Sequence, residues 1–448
     1  ARGYRFITIP QYLHQSKQVL MPEIDKGKEY YAMQANLTLA SAVYYMSDFI
    51  NALFIIFLVL GIGRLVFMLA LVVKEHRRNL ALPSQLPAQP PLVSIIVPAY
   101  NEQVNVVNTL HNLLKQDYPN YDIILVDDGS TDDTFKEVTR AFAGHERMQL
   151  LTKPNGGKAS ALNYGIAHTQ AQYVVCIDAD TQLYHNAVSL LMRHFFADKQ
   201  GRVGAVAGNV KVGNKVNMLT QWQAIEYTTS QNFDRQAYAA INAITVVPGA
   251  IGAFRRQAII DAGGLTTDTL AEDCDLTMRI LKAGYVIGNE NHAIAMTEAP
   301  EKLRQFMKQR TRWCFGIMQT FWKHRGEMFK RRYKGLGLWA LPNMLLFQFI
   351  IPTFSPIADL LMILGLFTGN IGKVLLYYCI FLVVDASISI MAYLYEHERL
   401  WGLLWIIPQR LCYRWIMYVV LFGSYLKAIK GELQQWGVLK RTGTVKNI

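Results

Sequence analysis

Three hydrophobic patterns divide the chain. Residues 49–73 form a nearly unbroken apolar run, interrupted by Asn51 and Arg64 and closed by Lys74, His76, Arg77 and Arg78. A run of that length predicts a bilayer-crossing helix, and the basic cluster places the chain beyond it in the cytoplasm. No small-residue cleavage site succeeds the run, and the basic residues lie on the wrong side for a signal peptide. From residue 92 to about 300, short β-rich runs alternate with helical periodicity. Residues 93–97, 123–126 and 174–177 read as buried parallel strands, and Val104, Val107, Leu110 and Leu114 mark one face of a helix between the first two. That is a βαβ arrangement, whose ligands bind beyond the carboxyl ends of the strands. From residue 336 apolar positions dominate again. Segments 336–367 (with Pro342, Pro352 and Pro356), 374–395 and 401–426 (with Pro408, Arg410 and Arg414) predict membrane helices.

The connecting stretches differ in character. Residues 83–91, PSQLPAQPP, predict a proline-stiffened linker. Residues 301–332 combine Leu303, Phe306, Met307, Trp313, Phe315, Ile317 and Phe321 with many basic side chains, which predicts an amphipathic helix lying on the inner leaflet. Charges as deep as Arg410 and Arg414 either line a pathway or mark a partly inserted segment. Three full crossings after a cytoplasmic domain would put the basic tail, 427–448, outside, against its charge. One segment is therefore expected to be re-entrant or interfacial.

Composition agrees with a membrane chain: of 448 residues, 52% are hydrophobic and mean hydropathy is +0.14. The net charge of +12 is explained by basic flanks beside apolar spans, since no zinc-finger, helix-turn-helix or RNA-recognition signature accompanies it. Nucleic acid is not an expected partner. The cysteines at 176, 274, 314, 379 and 412 have neither metal-ligand nor disulfide spacing and fit a reducing cytoplasm or a bilayer.

Candidate chemistry gathers at strand ends. PAYNE (98–102) succeeds the first strand, DDGSTD (127–132) the second and DAD (178–180) the third, with NGGKASALN (155–163) between the latter two. An Asp-x-Asp at a strand end supplies hard oxygens for a divalent metal while phosphates complete the set, and Lys158 could meet phosphate. LAEDCDL (270–276) crowds Glu272, Asp273 and Asp275, an arrangement costly unless cations, hydrogen bonds or chemistry require it. Its plainer reading is a helix N-terminus, continued by Leu276, Arg279, Ile280 and Ala283. In VVPGAIGAFR (247–256), Gly249 and Gly252 allow either close approach of a ligand to the backbone or a tight turn.

Together VPAYNE, VDDGSTD, NGGKASALN, CIDADTQL, LAEDCDL and QRTRW resemble the family 2 inverting glycosyltransferases of membrane-embedded, processive polysaccharide synthases. The resemblance implies an α/β GT-A cytoplasmic domain plus an α-helical transmembrane region. It implies that Tyr100, Glu102 and Asp127 or Asp128 hold uridine, Lys158 the diphosphate, Asp178 ribose, and Asp180 Mg²⁺ or Mn²⁺. Asp273 would be the general base beside Glu272, although the family more often has threonine where Ala271 stands. Arg312 would face diphosphate, while Gly249, Gln309 and Trp313 would meet the acceptor. A UDP-sugar, a growing polysaccharide and membrane lipids are the implied partners. Residues 3–13 read as a strand and resemble the closing strand of polysaccharide deacetylases. With a chain opening at Ala1 rather than Met, this predicts a fused or associated deacetylase, to which an accessory export subunit is added, and hence UDP-N-acetylglucosamine as donor. The expected organisation is an extracytoplasmic 1–48, a crossing at 49–73, a linker at 74–91, the GT-A domain at 92–300, interfacial helices at 301–335, membrane segments at 336–426 and a tail at 427–448. Hyaluronan, chitin and cellulose synthases, a non-processive lipid-linked sugar transferase and a catalytically silent binding domain are the alternatives.

Overall fold

A computed structural model describes residues 7–21, 26–83, 85–365, 371–430 and 443. The chain divides into two units, Ala1–Gly63 and Arg64–Ile448. In the first, the described chain is helical. The strand expected over residues 3–13 is not found among the described residues: Ile9–Leu13 is a helix, its start closed by the Gln11 side chain accepting from the Thr8 amide at 2.9 Å. Pro10 in the first helical turn lacks only a donor the helix would leave unpaired. The predicted span 49–73 falls within one helix, Lys28–Leu80.

The second unit is built on an eight-stranded sheet of order β3-β2-β1-β4-β7-β6-β8-β5. Its strands are β1 Val93–Ala99, β2 Tyr121–Asp127, β3 Met148–Thr152, β4 Tyr173–Cys176, β5 Gln182–Leu183, β6 Val203–Val212, β7 Gly252–Arg255 and β8 Val286–Thr297. β1 to β4 are mutually parallel, with Val93 facing both Tyr121 and Tyr173. β7 enters antiparallel to β4 and β6, so the sheet is mixed. The central strands are apolar on both faces because helices cover both, and Ile95, Ile96, Ile124 and Val175 are fully buried. Helix Val106–Leu113 turns Val106, Leu110 and Leu113 inward, whereas Val104 is exposed in the turn before it, so the stripe starts two residues later than the periodicity suggested. Helix Lys158–Ala167 lies so close to the sheet that a Cβ at Gly165 would stand 2.6 Å from Ile96 Cγ2. This close approach fixes where that helix's N-terminus meets the β1 and β2 ends.

The described residues of the C-terminal region, up to Lys430, are helical except for a break at residues 396–399. Residues 336–365 run as π-helical turns (Leu336–Ala340, Met344–Ile350) alternating with α-helix (Leu341–Asn343, Ile351–Gly365). The prolines remove amide donors there, and wider turns accommodate the broken ladder. Leu336–Leu360 and Tyr378–Tyr395 are each long and apolar enough to cross a bilayer, and Phe354, Ile357, Leu360, Val383 and Leu394 face outward. Arg410 and Arg414 each meet a carboxylate on a neighbouring helix. Arg410 donates to Asp385 at 2.6 and 2.7 Å, and Arg414 lies 3.1 Å from Asp359. The helix carrying QRTRW, Leu303–His324, buries Phe306, Phe315 and Phe321 in protein. It packs against the terminal helix Arg414–Lys430. The tail beyond residue 430 lies outside the described residues, Gly443 excepted.

Candidate functional site

The loops after β1 and β2 clasp each other. Asn101, held at φ 56°, accepts from the Thr131 amide at 2.8 Å, its own amide donates to Ser130 Oγ at 3.0 Å, and the Glu102 amide donates to Thr134 Oγ1 at 2.9 Å. Asp128 takes the amides of Gly156 (3.1 Å) and Gly157 (2.7 Å) and the Lys153 ammonium (2.6 Å). Its carboxylate therefore shapes the NGGK loop, delivering the N-terminus of helix Lys158–Ala167 to the strand ends, where backbone amides suit phosphate. Asp127 accepts from the Ser130 amide and Thr152 at 3.3 Å each.

A cavity of about 650 Å³ opens beyond the carboxyl ends of β1 and β4. Its wall includes Tyr100, Glu102, Asp128, Lys158, Asp178, Asp180, Gly249, Glu272, Asp273, Gln309, Arg312 and Trp313. Of the two expected uridine-binding aspartates only Asp128 reaches this wall, Asp127 being turned to its own loop, and every other site residue expected from the sequence converges here. The wall continues among Asp234, Tyr238, Gln348, Phe349 and Pro352 toward the C-terminal helices.

Lys158 is the electrostatic centre. Its ammonium pairs with Asp178 and lies 3.6 Å from Glu272. Burial would lower its pKa, but Asp178, Glu272 and Asp273 outweigh that and hold it above the usual lysine range. Burial pushes the Glu272 carboxyl up, with Asp273 adding to the rise and Lys158 and Arg312 opposing it. Glu272 and Asp273 stand in the first turn of helix Glu272–Lys282, as the plain helix-start reading has it, and both line the cavity.

Asp275 belongs to a different site. Fully buried, it accepts from Thr266 (2.9 Å), Arg279 (2.7 Å) and His324 (2.9 Å), with Lys323 at 2.8 Å. Burial would raise its pKa, but these donors hold it far below the usual carboxylate range. It ties the acidic helix to the QRTRW helix and fixes the relative placement of Asp273 and Trp313. The i,i+4 spacing to Arg279 was the available sequence signal for this role.

Gly249 stands against the lysine. A Cβ there would collide with Lys158 Nζ and come 3.8 Å from Asp178 Oδ1. Gly249→Ala is expected to displace the ammonium and weaken nucleotide-diphosphate affinity about tenfold at unchanged folding stability, as calorimetric titration with UDP would show. Unchanged affinity would mean that Lys158 adjusts freely.

Residues 94–263 match the family model described as glycosyl transferase family 2. The chain is 32% identical over 234 residues to poly-beta-1,6-N-acetyl-D-glucosamine synthase of Staphylococcus epidermidis, covering 51% of this chain and 56% of that one. With the protein of the same name from Staphylococcus aureus strain COL it is 31% identical, over 50% and 54% of the respective chains. It thus spans little more than half the length of these curated relatives. Among solved structures, mannosyltransferase PcManGT from Pyrobaculum calidifontis, in complex with GDP-Man and Mn²⁺, superposes with a TM-score of 0.59 at 22% identity, over 86% of this chain and all of that one. That likeness shows a shared GT-A-type fold, and the match of residues 94–263 marks that segment as a family 2 glycosyltransferase domain.

Proposed function

We propose that the chain is an inverting, membrane-embedded synthase that adds N-acetylglucosamine from UDP-N-acetylglucosamine to a β-linked polymer. The convergence of Lys158, the 178–180 aspartates, Glu272, Asp273 and the QRTRW residues on one cavity carries this reading. The acceptor hydroxyl oxygen attacks the anomeric carbon as its proton passes to Asp273. The carbon–oxygen bond to the diphosphate breaks, and UDP leaves with the bonding pair. Lys158 and Arg312 offer positive charge to that leaving group, and Trp313 an aromatic face to the acceptor. Glu272 holds Lys158 in place.

A divalent cation fits this donor set. Asp180 is buried at the cavity wall and offers a hard carboxylate. Among the described residues no three His, Cys, Asp or Glu cluster as a metal site, so diphosphate and water oxygens would complete the coordination. When bound, Mg²⁺ or Mn²⁺ supplies positive charge to the departing diphosphate. Asp180→Ala is expected to weaken UDP binding in excess Mg²⁺ or Mn²⁺ about tenfold, with little effect when the metal is chelated. Equal affinity with metal would remove Asp180 from that role.

The cavity's continuation toward the C-terminal helices supports delivery of product into the membrane region. We place the catalytic domain at the cytoplasmic face of the cell membrane, and residues 301–335 at the inner leaflet. The donor identity rests on the named relatives, and a fused or associated deacetylase and an export subunit belong to the same proposal. Purified protein given UDP-N-acetylglucosamine, UDP-glucose and UDP-glucuronate singly and together tests it. Polymer is expected from UDP-N-acetylglucosamine alone; polymer from UDP-glucose alone, or only with glucuronate present, would overturn it.

A further inference from the structure

Arg310, one of the two intervening positions of QRTRW, is as buried as a core residue, with 2% of its surface exposed. Its guanidinium donates to Glu226 at 2.9 Å and lies 4.2 Å from the Trp313 ring centroid, with Phe306 at 5.1 Å and Tyr227 at 5.7 Å. Nε and Nη1 are buried without a hydrogen-bond partner among the described residues. A buried guanidinium with two unmatched donors is costly, and a role confined to neutralising Glu226 would not require it to lie over an indole. Glu226 also accepts from the hydroxyl of Tyr413, at the end of the π-helical turn Gln409–Tyr413. Tyr413 in turn packs on Phe306, ring centroids 5.2 Å apart. A chain of contacts thus runs from Trp313 on the cavity wall through Arg310 and Glu226 to the last helical segment.

The geometry points to Arg310 as a positioning residue: stacked on Trp313 and anchored by Glu226 and Tyr413, it fixes the indole as the platform for the acceptor sugar. The inference rests on the proposed reading that Trp313 receives the acceptor. With one face covered by the guanidinium, the ring cannot swing without breaking the stack, so the face offered to the sugar is set before the sugar arrives. Lysine cannot reproduce the planar stack together with the carboxylate contact, so arginine is specifically required.

The test uses the full chain in detergent, a soluble β-linked N-acetylglucosamine oligomer as acceptor, and three variants: Arg310→Met, Arg310→Lys and Tyr413→Phe. Arg310→Met is expected to raise the acceptor KM about tenfold, with kcat at saturating acceptor and UDP affinity within about twofold of the unmodified chain. Arg310→Lys should fall between the two, and Tyr413→Phe should raise the acceptor KM two- to threefold in the same direction. An unchanged acceptor KM in Arg310→Met, or joint loss of kcat and UDP affinity with KM unchanged, would overturn the inference. Should Arg310→Met fail to bind UDP at all, Tyr413→Phe decides, and an unchanged acceptor KM there refutes the anchor. If instead the unmodified chain hydrolyses the UDP-sugar but never extends the oligomer, the proposed function itself has failed.

Discussion

Asp273→Asn is expected to leave UDP affinity within about twofold and to lower polymer formation by about 10²–10⁴, the range that loss of a positioned general base produces. Asparagine keeps the size of the side chain and cannot accept the acceptor's proton. Asp273 lines the cavity beside Glu272, which, 3.6 Å from Lys158, remains to orient the ammonium. A substitution that spares that pair should spare nucleotide binding. Loss of UDP affinity comparable to the loss of turnover would mean instead that Asp273 serves the donor.

Asp275→Ala should destabilise the chain by about 3–5 kcal/mol, the usual consequence of removing one partner from a buried charged network. Arg279, Lys323 and His324 converge on this carboxylate, and its loss leaves the partly buried Arg279 without its ion-pair partner. The native pKa of Asp275 is depressed. Its contribution is therefore fully present above the unfolded aspartate value, near pH ~4, and fades as pH falls toward the lower native value. Thermal unfolding followed by loss of UDP binding reads both effects. Asp275→Asn should lose stability at neutral pH and show a flatter profile below pH ~4; an unmodified chain whose profile is already flat there would refute the linkage.

The same three acids show what the sequence could reveal. Their crowding marked a helix start at the cavity wall, and the strand-end clusters PAYNE, DDGSTD and DAD located the cavity, because period-2 and period-3.6 patterns are local and survive without the fold. Separating Asp275 from Asp273 needed the Arg279 spacing and the distant His324, which only the folded chain brings near. The antiparallel strand β7 was likewise illegible, since its partners in β4 and β6 are remote in sequence. Residues 9–13 were misjudged for the opposite reason: they read as part of a strand, while Thr8, Pro10 and Gln11 carried a helix-start signal. The arginines in the last apolar segment were noticed without their partners, although Asp359 and Asp385 stood equally conspicuous in the preceding ones.

Those partners bear on how such a chain is made. On the membrane reading, a lone aspartate at the centre of a helix resists insertion by about 3 kcal/mol. Asp359 and Asp385 emerge from the ribosome before the arginines that neutralise them, Arg414 and Arg410. The two earlier helices therefore have reason to wait beside the insertion machinery until the last segment is synthesised, then enter the lipid together as a charge-matched group. Truncation before residue 410 would strand both carboxylates and send the nascent chain toward quality-control proteolysis.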